Sequence, residues 1–102
     1  MKVVINGLKF NIREVDVIEK KENEGETIGL TNYIEQEILL LKSLSKEQKI
    51  RTLRHELTHV FLWAYGFGSI AEYPLEVVCD FVGTYSKQIV DIVDKYFKES
   101  EN

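Results

Sequence analysis

The stretch that most constrains this chain is Arg54-His55-Glu56-Leu57-Thr58-His59, which matches H-E-x-x-H and holds both histidines of the protein. On a helix, residues four apart project from one face about one turn apart, so His55 and His59 can aim their imidazoles at a single ion. Glu56 then lies beside that ion. Two histidines placed at random in a chain of this length and glutamate content give the motif roughly 2 times in 1000, so coincidence is a weak explanation. The stretch must be helical for the spacing to mean anything, and its flanks agree. Ser45 is an N-cap with Gln48 in the capping-box position. Ile50, Leu53, Leu57, Val60, Phe61 and Ala64 then recur at helical spacing as a core stripe, and Gly66 and Gly68 stand where a helix ends.

The 102 residues, 44% of them hydrophobic, suit a single domain, 1–102, with one modest core. Before the helix, Val3-Val4-Ile5 and Phe10 to Val15 are β-prone runs joined by Asn6-Gly7, a hairpin turn signal. Asp16 to Glu26 is polar and reads as an exposed loop. Thr27 to Ile34 and Glu37 to Leu41 form two more strands, turning at Glu35-Gln36. Gly29 and its polar neighbours suit a sheet edge. After Tyr65 to Tyr73, Pro74 opens a second long helix whose stripe is Leu75, Val78, Val82, Tyr85, Ile89, Val93 and Phe97, reaching to about Lys98. The expected fold is α+β, a small, mainly antiparallel sheet of three or four strands followed by two long helices. Gly83 can serve close helix approach or be an ordinary helix glycine, and Cys79 reads as a small buried core residue.

A catalytic zinc takes three protein ligands and keeps one position for water. With no histidine left, the third ligand is a carboxylate or Cys79. Glu76-Val77-Val78-Cys79-Asp80 gives E-x-x-x-D on the second helix, and a helix, a reversing loop and a helix can bring Glu76 opposite the pair. Asp80, one turn on, can accept the spare ring N–H of a ligating histidine.

H-E-x-x-H on one helix and E-x-x-x-D on the next resembles the gluzincin pattern of zinc peptidases. The small size, with the histidine helix following a short sheet, is similar to the minimal gluzincins and the ImmA/IrrE-type metallopeptidases of bacteria, phages and mobile elements. The resemblance covers roughly residues 27 to 90 and implies a zincin-like fold holding one zinc ion per chain. It implies Glu76 as third ligand, Glu56 as general base and acid, and Asp80 as the partner of a ligand histidine. In the resembling peptidases the edge strand before the active-site helix holds an extended peptide. By position that is Gly29, Leu30, Thr31 and Tyr33. Larger gluzincins add a Tyr or His that donates to the oxyanion; here Tyr73, Tyr65 or Tyr33 is available for it.

The implied activity is hydrolysis of a protein or peptide, by analogy a regulatory protein. The second expectation is a catalytically silent zinc-binding module that holds a partner by its groove or edge strand. Net charge of −4 and a pI near 5.2 argue against nonspecific nucleic-acid binding. The absence of a long apolar run argues against membrane insertion, and a lone cysteine fits a reducing, cytoplasmic setting.

Overall fold

The computed structural model describes residues 1–19, 27–67 and 74–100. Four strands come first: β1 (Lys2–Ile5), β2 (Leu8–Val15), β3 (Gly29–Asn32) and β4 (Glu37–Leu41). Two helices follow, α1 (Lys46–Ala64) and α2 (Leu75–Ser100). At the first turn, Asn6 and Gly7 both take positive φ, 47° and 80°, the backbone that a two-residue hairpin needs and that Asn-Gly accepts with least strain. The second hairpin turns through Gln36, also at positive φ.

The sheet order is β1-β2-β4-β3. Both hairpins are antiparallel, but β2 and β4 pair in parallel, with Ile12 opposite Ile38 and Leu40 opposite Glu14. The sheet is therefore mixed, which corrects the mainly antiparallel expectation in its central joint. The two hairpins meet through β4, whose Ile38 and Leu40 are fully buried. Its near-continuous apolar run suits the inside of a sheet. That arrangement leaves β3 at an edge.

Both helices contribute to the core formed with the sheet. Phe10, Ile12, Ile38 and Leu40 meet Leu53, Leu57, Val60 and Phe61 of α1, and Phe81, Ile89, Val93 and Tyr96 of α2. Ser45 caps α1 in a reciprocal capping box with Gln48. At the other end Gly66 takes φ 82°. There Asn6 Nδ2 donates to the Ala64 carbonyl at 2.8 Å, tying the first hairpin to the last turn of α1. On α2 the buried stripe runs through Phe81, Ile89, Val93 and Tyr96, whereas Val82 is 53% exposed. Gly83 is exposed with open space where a side chain would stand, and Cys79 is exposed rather than in the core. No described helix is long and apolar enough to cross a membrane.

Glu14 joins three elements. Lys49 of α1 approaches one of its oxygens at 2.8 Å, and the Tyr96 hydroxyl of α2 donates to the other at 2.7 Å. Burial pushes the Glu14 carboxyl up, but hydrogen bonds from Lys49 and Tyr96 and the charges of Lys49 and Lys42 outweigh it. The net shift is downward from 4.5. A carboxylate lowered in the folded state contributes stability that is present above the unfolded value and lost as pH falls through the folded one. Thermal melts should show wild type above Glu14→Gln at pH 7, with the gap closing as pH drops below 4.5. A gap that does not change with pH would count against an ionic role.

Candidate metal centre

The α1 helix presents three faces to three surroundings. Leu53, Leu57 and Val60 point into the core. Thr52 and Glu56 point at β3, and they are the buried polar side chains among the described residues. His55 and His59 are exposed, on the helix between the Thr52 and Glu56 side near β3 and the Arg54 and Thr58 side near α2. Their Nε2 atoms are 3.1 Å apart, with ring planes inclined at 73°. Two nitrogens about 2.0–2.1 Å from one tetrahedral ion stand roughly 3.3 Å apart, so the pair is held close to ligand–ligand spacing. The donor set fits zinc at two positions.

Glu56 is only 8% exposed, unusual for a carboxylate. Thr31 Oγ1 of β3 donates to its Oε1 at 3.4 Å, a long contact that aims the carboxylate rather than binding it tightly. Gly29 explains how β3 comes this close. A Cβ there would collide with Thr52 Cγ2 and stand 3.4 Å from Glu56 Cγ. Two residues beyond Thr31, the Tyr33 ring lies 4.9 Å from that of Trp63, one turn past His59. Gly29, Thr31 and Tyr33 thus face α1 in succession, while Leu30, by the two-residue period of a strand, faces away and is 39% exposed. Burial, and then the Glu56 charge, push the Tyr33 phenol up from 10, keeping it protonated and able to donate.

The second helix does not deliver its carboxylates to the pair. Glu76 stands nine residues from Tyr85, and Asp80 nine from Ile89, about two and a half turns in each case. Tyr85 packs at a tilt against the rings of Phe61 and Tyr65 of the first helix region, and Ile89 is buried. Glu76 and Asp80 therefore project from the opposite side of α2, and both are exposed. Among the described residues, no three His, Cys, Asp or Glu side chains gather to hold an ion. Of the candidate oxyanion donors, Tyr65 is committed to the aromatic cluster with Phe61 and Tyr85, and Tyr73 lies outside the described residues. Of the two described candidates, Tyr33 is the one that interacts with Glu56.

The chain matches no family model, no curated protein and no solved structure. Beside the histidine pair a cavity of about 360 Å³ is lined by Thr27, Ile28 and Gly29 on one side and Arg51, Thr52, His55 and Glu56 on the other. Arg51 and Trp63 were not singled out as site residues by sequence, although Arg51 is one turn before His55 and Trp63 one turn after His59. That spacing is the signal that finds them.

Proposed function

We propose that this protein is a zinc-dependent peptidase of gluzincin-like, zincin-type design that hydrolyses an extended peptide laid against β3. The observation that carries the reading is the histidine pair at ligand spacing beside a buried carboxylate, on a helix flanked by an edge strand. His55 and His59 would hold the ion. A bound zinc supplies Lewis acidity for the scissile carbonyl and brings the pKa of water toward about 7. Glu56, shielded by β3 and aimed by Thr31, accepts the proton of the attacking water and later returns it to the leaving amine. Tyr33, kept protonated beside Glu56 and packed at a tilt against the Trp63 ring, donates to the developing oxyanion. Among the described residues β3 ends the sheet order, and its outer edge offers backbone donors and acceptors for strand addition.

Glu76 remains the proposed third ligand, with Asp80 supporting a ligand histidine. Both roles require the first turns of α2 to turn about the helix axis when the ion binds. The second reading, a zinc-binding module that holds a partner without cutting it, is favoured by one observation: the described residues gather only two ligands.

Metal analysis of protein reconstituted with zinc should find about one ion per chain, and almost none in His55→Ala or His59→Ala. Full loading of both variants would remove the site. Glu76→Ala separates the ligand sets: a fall in zinc affinity of at least tenfold supports the three-ligand centre, and unchanged affinity leaves a two-histidine site completed by water.

A further inference from the structure

The cavity beside the histidines is lined by side chains of both charges. Glu56 forms part of one wall, and Arg51, four residues before His55, rises from the same ridge of α1. Among the described residues nothing pairs with the Arg51 guanidinium, by ion pair or by hydrogen bond. An unpaired, planar, five-donor cation in the lining of a cavity is suited to a carboxylate arriving with a ligand.

The direction of β3 says which part of a peptide that would be. Gly29 lies against Thr52, Thr31 on Glu56 and Tyr33 on Trp63, so β3 and α1 advance in the same sense. A peptide added to β3 in the commoner antiparallel sense runs the other way, from Trp63 toward Arg51. Residues on the leaving-amine side of the cleaved bond therefore come to Arg51. One helical turn separates Arg51 from His55, about 6 Å, which an extended peptide covers in roughly two residues of about 3.3 Å each.

Resting on the peptidase reading above, we propose that Arg51 recognises a carboxylate carried one or two residues after the cleaved bond. It makes the enzyme selective for peptides acidic on that side. The carboxylate is either an Asp or Glu side chain or the C-terminus of a short leaving fragment.

The test uses zinc-loaded full-length protein and peptides differing only in Glu, Gln or Lys at the first two positions after the bond, each with a free or an amidated C-terminus. Wild type should favour the carboxylate-bearing peptide by roughly 10- to 100-fold in kcat/KM. Arg51→Ala should abolish the preference, Arg51→Lys keep part of it, and Arg51→Glu transfer it to a lysine peptide. Preference following the Glu side chain identifies that source, and preference following the free terminus identifies the other. The same preference in Arg51→Ala as in wild type overturns the proposal.

Fluorescence anisotropy of labelled peptides on Glu56→Gln supplies a readout without turnover. Arg51-dependent binding of acidic peptides with no cleavage by wild type would sink the peptidase reading and keep the carboxylate site. Cleavage indifferent to charge and to Arg51 would do the reverse.

Discussion

Glu56→Gln is expected to lower peptide hydrolysis by about 10²- to 10⁴-fold, the usual contribution of a positioned general base, while zinc content and melting temperature stay close to wild type. The substitution keeps the shape of the side chain and an oxygen to accept from Thr31, so the contact between β3 and α1 survives. It removes only the ability to take a proton from water. Measured kcat/KM on a cleaved peptide, with zinc content determined on the same sample, isolates that loss. An unchanged rate would assign the base elsewhere, and lost zinc would mean that Glu56 holds the ion instead of serving the reaction.

The second large effect is on the fold. Phe61 is 1% exposed, and its ring packs against Tyr65 and Tyr85, so it links α1 to α2. Phe61→Ala should cost about 3–5 kcal/mol through lost transfer energy and the cavity left behind. For a domain of this size that is a fall in Tm on the order of 20 °C, out of a total stability of only about 5–15 kcal/mol. Calorimetry or circular dichroism melts check it. A fall of only a few degrees would mean that α2 contributes little to holding α1, and the helix pair would have to be reconsidered as a unit.

Local chemistry was readable and relative placement was not. The capping box at Ser45, the Asn6-Gly7 turn, the ends of α1 and the run from Glu37 to Leu41 each depend on residues within a few positions of one another. The structure has them as the sequence implies. The parallel joint of β2 with β4 depends on how two hairpins dock across a dozen intervening residues, and no local pattern records it. The same limit applies to α2. Spacing puts Glu76 and Asp80 on one face of that helix, but its rotation against α1 is set by which apolar residues bury. Phe81 buries and the neighbouring Val82 does not, and this turns the carboxylates outward.

At the site, H-E-x-x-H carried its own geometry because both histidines and the glutamate share one helix. The edge position of β3 was legible from Gly29 and its polar neighbours. The contact of Thr31 with Glu56 and of Tyr33 with Trp63 was not, since strand-to-helix register leaves no mark in a single sequence.

The side chains placed at the histidine helix, from Thr27 to Trp63, come from one continuous strand, turn, strand and helix. The contacts that build the site, Gly29 with Thr52, Thr31 with Glu56 and Tyr33 with Trp63, close loops of much the same length as the register of β2 with β4. Loop-closure entropy changes by only about 0.6 kcal/mol for each doubling of length, so neither set is favoured to close first. The chemistry and the scaffold that steadies it are thus matched in chain-entropy cost, and a substitution that weakens the joint of β2 with β4 is expected to loosen the site along with the sheet.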